Sequence, residues 1–283
     1  MKVTKCGSGK IYSFPMSDIE YIGYFFGDNK GKELVKSAYA RLKKSRGSAP
    51  DFLFNAELFE FDTRYAVSDV VCGGVVHRLR EGYGMAFPNN NKAVFSYKNN
   101  VGAKDYVGAY PVLIKGGKLE TSIPSGLSGS RGRTAIGVGN NNLIVALIPD
   151  GSNDATLSTL RSSMKAAGAT DAINLDGGGS TQFYAPNGNF FTSRKVRGFI
   201  GIWLKKTSSN NPSTSTTQTT STQTIADIRT VKVNTNLRIR KSPSTLSLTV
   251  GRLYNGDKVT VLETKNGWCR ISQGWVSSKY LVK

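Results

Sequence analysis

Residues 207–224 read TSSNNPSTSTTQTTSTQT, with no charged residue and no large apolar one. A stretch this poor in buriable side chains cannot offset the entropy of folding, so it predicts a flexible tether. As a random coil its ends average roughly 20–25 Å apart. No single core can pass through such a segment, so the chain must make two folds. One lies in residues 1–206 and the other in residues 225–283, with the tether at 207–224 between them.

Both pieces are basic. The whole chain carries 38 Lys+Arg against 19 Asp+Glu, a net charge of +19. The first piece holds 27 basic and 16 acidic residues (+11), the second 11 and 3 (+8). This excess implies attraction to a polyanion, whether nucleic acid, an anionic membrane or an acidic wall polymer. The basic residues are scattered and no nucleic-acid recognition motif appears, so nucleic acid is not the expected partner. The hydrophobic content of 39% supports real cores and excludes a disordered chain.

Three cysteines, Cys6, Cys72 and Cys269, are far apart, and His77 is the only histidine. That leaves no zinc-ligand spacing, and no metal or cofactor is expected. His77, in VVHRLR, reads as a strand-edge residue rather than a catalytic base, and Cys72 as a small core residue. The start, MKVTKCGSGK, has no apolar signal region, and no stretch is long enough for a membrane span. The expectation is synthesis in the cytoplasm without an export address.

In the first piece, KGKELVKSAYARLKK (30–44) has Leu34, Val35, Ala38 and Leu42 at helical spacing, with Gly47 and Pro50 ending it. A second helix is predicted over 154–167, with Asp154 as N-cap and Gly168 as its stop. Between them lie short β-like runs, among them RTAIGVG and NLIVALI, separated by Asn, Gly and Pro clusters. Another strand, VRGFIGIWLK, closes the piece. The pattern predicts an α+β fold: a mixed β-sheet domain with flanking helices, followed by a small all-β barrel.

The second helix leads into the strand DAINL and then into NLDGGGSTQF (174–183). Three glycines beside Asp176 make either a tight turn between strands or a backbone that must come close to a ligand. An acid at a strand end sits on a rim, where sites on sheets open. The N–H groups of Gly177, Gly178 and Gly179 can form an anion nest, and Ser180 and Thr181 add hydroxyls. Arg133 and Arg197 can supply positive charge for a phosphate. From the residues alone this reads as a carboxylate beside an anion site.

Taken together and in order, the RTAIG block, the helix ending in GATDAINL, LDGGGS and RKVRGFIGIWL resemble the phosphodiester glycosidase family over roughly residues 50 to 204. The resemblance implies cleavage of a sugar from a sugar-1-phosphate diester. In that reading Asp176 is the nucleophile or the base that activates water. Gly177–Gly179 and Arg133 hold phosphate or sugar, Glu57 is the second carboxylate, and Asn55 bonds sugar hydroxyls or an acetamido group. The family motif also brings Asp150 and Arg197 to the site. Two departures stand out: Asn55-Ala56-Glu57 where relatives often carry Asn-Gly-Gly, and Asp150-Gly151-Ser152 where many carry Asp-Gly-Arg.

The tail resembles the bacterial SH3 domain in LRIRKSP, GDKVTVL, NGWCRI and GWVSSKYL. Asn255-Gly256 and Asn266-Gly267 read as hairpin turns. The resemblance implies a wall-binding barrel, with Trp268, Trp275 and Tyr280 offering aromatic surface and Arg238, Arg240 and Lys241 cations, unless Trp268 and Trp275 belong to the barrel core. Trp268 is expected in the barrel core. The combined layout is similar to phage wall-degrading proteins that leave the cell by lysis or ride on a virion. The expected partner is a bacterial cell-wall or surface glycopolymer, such as a teichoic-acid-like or phosphate-linked capsular glycan. The opposing expectation is a non-catalytic glycan-binding or virion structural protein that keeps the fold.

Overall fold

The computed structural model describes residues 1–60, 66–78, 82–122, 124–151, 154–206, 227–245, 247, 249–253, 255–261, 263–271 and 274–282. The tether expected at 207–224, and Ser152, lie outside the described residues. The chain divides into two compact units, Met1–Ser209 and Asn210–Lys283.

The larger unit is layered helix, sheet, sheet, helix. Its seven-stranded sheet runs in the order Lys2–Cys6, Gly9–Pro15, Asn142–Ile148, Arg133–Gly139, Asp171–Asn174, Val112–Lys115, Lys118–Leu119. A four-stranded sheet runs Phe183–Tyr184, Phe52–Asn55, Gly198–Leu204, Ile19–Phe26. The two meet through aromatic rings: Tyr12 stands edge-on to Phe52 at 5.0 Å, and Phe14 stacks on it at 5.4 Å. A five-stranded sheet, Val75–Arg78, Val70–Cys72, Asp105–Gly108, Tyr83–Asn89, Lys92–Tyr97, adds Val70, Met85 and Val107 to the same core.

The unbroken apolar run NLIVALI is explained by burial on both faces. Leu143, Val145 and Leu147 enter the core between the sheets, while Ile144, Ala146 and Ile148 pack under the helix Leu157–Ala166. Side chains alternate along a strand, so a strand covered on both sides needs apolar residues at every position. The helix Val35–Arg46 covers the outer face of the four-stranded sheet, setting Val35, Ala38 and Leu42 against Leu53, Phe199 and Trp203. Fully burying a Val, Leu or Phe side chain among these contributes about 1.5–3 kcal/mol.

The α+β class with a small SH3-like barrel stands. The pairing differs in detail from a mixed sheet, because every described ladder is antiparallel. The helix Leu157–Ala166 carries the chain across one intervening strand. Asn142–Ile148 and Asp171–Asn174 therefore run the same way but both pair with Arg133–Gly139, never with each other.

The first helix starts later than its apolar spacing suggested. Leu34 is an extended cap residue, and Gly47 ends the helix in the left-handed region at φ 77°. The second is capped by the Thr156 hydroxyl, which accepts from Thr159 N at 3.1 Å. Asp154 instead accepts from the Ser130 hydroxyl. Gly168, at φ 102°, makes the expected stop. The N-terminal strands Lys2–Cys6 and Gly9–Pro15 form one edge of the seven-stranded sheet, and Ile19–Phe26 one edge of the four-stranded sheet.

In the smaller unit a three-stranded and a five-stranded sheet enclose Val231, Leu237, Ile239, Cys269, Ile271 and Val276. Trp268 is half-buried and outside this core, contrary to expectation. Strand alternation is the reason: Cys269 and Ile271 take the inward positions of Trp268–Ile271, so Trp268 faces the other way. Asn266-Gly267, with φ of 48° and 77°, turns between the paired strands Glu263–Lys265 and Trp268–Ile271. Asn255-Gly256 instead joins strands of different sheets, with Asn255 Oδ1 accepting from Val233 N. Arg240 donates to the Ser247 carbonyl at 2.7 Å, while Arg238 and Lys241 stand exposed.

Candidate active site

Asp176 lies just past the end of Asp171–Asn174, where the seven- and four-stranded sheets are stitched together. Its N–H donates to Ala56 O at 2.9 Å, and Leu175 N–H donates to Thr134 O at 2.8 Å. Asn55 is the central staple. Its Nδ2 donates to Asp176 O at 2.7 Å, while its Oδ1 accepts from the Thr134 hydroxyl at 2.9 Å and from Gln182 N at 3.2 Å. Buried, with both its amide oxygen and its amide nitrogen bonded inside the fold, Asn55 positions the acid.

The three glycines have three separate reasons. A Cβ on Gly177 would meet Gly132 O at 2.7 Å, so the chain there must pass close to the neighbouring strand. Gly178 sits at φ 56° and begins a short 3-10 turn, Gly178–Ser180. A Cβ on Gly179 would meet the Arg194 guanidinium carbon at 3.0 Å. The anticipated anion nest is mostly occupied from within. Gly177 N–H donates to Asp176 Oδ1, Gly178 N–H to Gly132 O, Ser180 N–H to Gly177 O and Thr181 N–H to Gly178 O. Asp150 supports this arrangement at one remove, because its Oδ1 accepts from Gly132 N at 2.6 Å.

Asp176 keeps part of its surface accessible, yet enough protein surrounds it to push its ionisation up to about 6. Burial is the main cause. The Ser180 hydroxyl, Gly177 N–H and the Arg194 charge pull the other way, and the Glu57 charge adds to the rise. A carboxylate poised near 6 is suited to exchange protons close to neutral pH.

Glu57 is 2% exposed, and its Oε1 accepts from the Tyr24 hydroxyl at 2.7 Å and from Arg197 Nη1 at 2.8 Å. Burial, then the Glu57 charge, drives the Tyr24 hydroxyl well above the usual range. Gly198 makes this contact possible, since a Cβ there would lie 2.0 Å from the Tyr24 oxygen. Arg197 also lies over the Phe26 ring at 4.8 Å, and His77 stacks on the same ring at 5.0 Å. Glu57 Oε2, Asn174 Oδ1 and Thr181 Oγ1 are buried with no hydrogen-bond partner among the described residues. Such oxygens are costly unless a water or ligand donates to them.

The two expected arginines are turned to structural work. Arg133 is buried and donates to the carbonyls of Ala155, Leu127 and Gly129 at 2.8–3.0 Å, which orders the loop before its strand. Burial and the neighbouring Arg131 lower its ionisation to about 10. Arg197 is held by Glu57. The cations that flank the glycine turn are others. Arg194 packs on Gly179 and donates to Ser180 Oγ at 3.2 Å, and the Arg131 side chain passes beside Gly178.

Residues 55–227, more than half of the chain, match the model of the phosphodiester glycosidase family. The chain belongs to the phosphodiester glycosidase family. Residues 235–282 match the bacterial SH3 domain. No curated protein matches the chain. Among solved structures, the zebrafish N-acetylglucosamine-1-phosphodiester alpha-N-acetylglucosaminidase catalytic domain is similar, with a TM-score of 0.55 and 16% identity. That match covers 70% of this chain and 77% of the other. A hypothetical protein from Synechocystis is similar with a TM-score of 0.52 and 12% identity, over 72% of this chain and 61% of that one. At these identities the likeness is one of fold.

Within this phosphodiester glycosidase fold, Asp176, Asn55, Glu57, Gly177–Gly179, Ser180, Thr181 and Arg197 gather at one rim, with Asp150 and Arg133 supporting it from behind. Arg194, Arg131, Tyr24 and Gln182 were not singled out from the sequence. Arg194 stands three residues before Arg197 in SRKVRG, and nothing in the spacing says which of the two reaches the turn. Tyr24 sits in the strand Ile19–Phe26, whose partner strand Gly198–Leu204 is remote in sequence.

Proposed function

We propose that this chain hydrolyses the glycosidic bond of sugar-1-phosphate diesters in a bacterial wall or surface polymer, with the SH3-like unit holding it to the wall. The observation that carries the reading is the Asp176 carboxylate, raised to about 6 and set between Ser180, Arg194 and Glu57 at the junction of two sheets. Family membership and the wall-binding type of tail support it.

In this reaction the bond from the sugar's C1 to the phosphate oxygen breaks, and the electron pair leaves with the phosphate. Water supplies the new C1 hydroxyl and gives up one proton to solvent. Asp176 either attacks C1 first or takes that proton directly. A phosphate is a good leaving group, so strong general-acid assistance is not required. Arg194 and Gly179 N–H lie where negative charge on the departing group can be held. Tethering to the wall raises the local concentration of substrate without new contacts at the site. The pairing of units fits a protein delivered by lysis or carried on a virion.

The test is incubation of the full chain and of Asp176→Asn with a panel of wall and capsular polymers, reading released sugars. Release by the wild type and none by the variant is expected; equal release by both removes Asp176 from the chemistry. One observation favours the binding-only reading: Glu57 is locked by Tyr24 and Arg197, which leaves one carboxylate for the chemistry. Retention on purified walls without turnover of any polymer would support that reading.

A further inference from the structure

Beside the rim, the larger unit holds a cleft of about 590 Å³ that the chemistry above does not use. Leu58, Asp69, Tyr83, Tyr110, Lys115 and Glu120 line it. It is joined to the site at two points. Leu58 directly follows Glu57 in the chain. On the opposite wall, Asn174, two residues before Asp176, donates its N–H to Pro111 O at 3.0 Å and its Nδ2 to Tyr110 O at 3.4 Å. The wall of the cleft and the strand that presents Asp176 therefore share hydrogen bonds.

The lining has the chemistry of a sugar subsite. Tyr110 is 57% exposed, and Tyr83 is held flat against Phe95, with ring centroids 5.0 Å apart and planes 3° from parallel. An aromatic face carries negative potential and attracts the positive C–H edge of a sugar ring. The carboxyls of Asp69 and Glu120 can accept from sugar hydroxyls. Asp69 is 2% exposed, and burial pushes its ionisation up to about 6. Lys115 is exposed, with Nζ 4.5 Å from the Tyr83 ring centroid, a place where one cation meets a single anionic group rather than a polyanion track. The volume falls within the roughly 300–1,000 Å³ of ordinary ligand pockets and exceeds what one departing phosphate requires.

We propose that this cleft is a second subsite, which binds a sugar unit of the polymer beyond the scissile phosphodiester on the exposed ring of Tyr110 and pairs its next phosphate with Lys115, which Tyr83 holds in place. This rests on the proposed function and deepens it, because the substrate is then a repeating phosphate-linked glycan and not an isolated sugar phosphate. Tyr110 and Lys115 are specificity residues that never touch the reacting atoms.

Two exposed positions allow a clean test in the full chain, Tyr110→Ala and Lys115→Ala. Each is assayed on the polymer and on a methyl ester of a single sugar-1-phosphate, which is too short to reach the cleft. The expected result is a KM for polymer raised about ten-fold, with kcat/KM for the methyl ester unchanged. No change on polymer, or equal loss on both substrates, would overturn the subsite. If the wild type cleaves neither substrate, the proposed function fails, and the cleft is judged by hydrogen exchange with polymer fragments. Slowed exchange over 105–115 in the wild type, lost in Tyr110→Ala, upholds glycan binding there; unchanged exchange in that segment overturns it.

Discussion

Replacing Asp176 by Asn removes a carboxylate that the fold keeps in a poorly hydrated place. Its ionisation lies at about 6 against an ordinary 3.8, chiefly because of burial. Between those values the folded chain holds a proton that the unfolded chain has released, so native stability falls as pH climbs through the window. At 1.36 kcal/mol for each pH unit, the loss reaches about 3 kcal/mol once the pH is above that window. Asn carries no charge at any pH, and its Oδ1 can still accept from Gly177 N–H and the Ser180 hydroxyl. The Asn variant should therefore match the wild type below about pH 3.5 and exceed it by about 2–3 kcal/mol near pH 7.5. Urea unfolding across that pH range measures the difference. Trp203, with its Nε1 bonded to Ser48 O at 3.1 Å, reports on the larger unit once Trp268 and Trp275 are replaced by Phe. A variant whose advantage does not grow with pH would mean that Asp176 is well hydrated, and the case for a tuned acid would fall with it.

Arg197→Ala leaves Glu57 buried with only the Tyr24 hydroxyl, and should cost about 3–5 kcal/mol in the same unfolding assay. Adding Glu57→Gln to that variant should recover part of the loss; no recovery would show that the packing of Arg197 on Phe26 matters more than the charge pair. Arg194→Ala removes a cation that holds the Asp176 ionisation down, so the carboxyl should titrate above about 6. An NMR titration of the Asp176 side chain checks this, and an unmoved midpoint would place Arg194 too far away to act.

Much of this protein is local in origin and can be read along the chain. The two-unit layout follows from composition, since 207–224 has nothing to bury. RTAIGVG and NLIVALI are short runs rich in Val, Ile and Leu, and Gly168 and Gly47 stop the helices that precede them. Asp176 and its glycines are also visible along the chain, although GGGS after a strand-end acid reads equally as a plain turn until the RTAIG block and the helix before it are taken with it.

What surrounds Asp176 was settled by contacts between residues far apart in sequence. Asn55 looks like a sugar ligand in isolation and becomes a staple because Thr134, Asp176 and Gln182 converge on its amide. Arg133 and Arg197 carry the motif, yet buried carbonyls claim one and Glu57 claims the other, so Arg194 comes to lie on the glycine turn. Trp268 turned outward because Cys269 and Ile271 took the inward positions of their strand. Propensity and composition act over a few residues and survive any packing. Hydrogen-bond partners and charge pairs depend on which strands become neighbours, and that is decided only when the whole core closes.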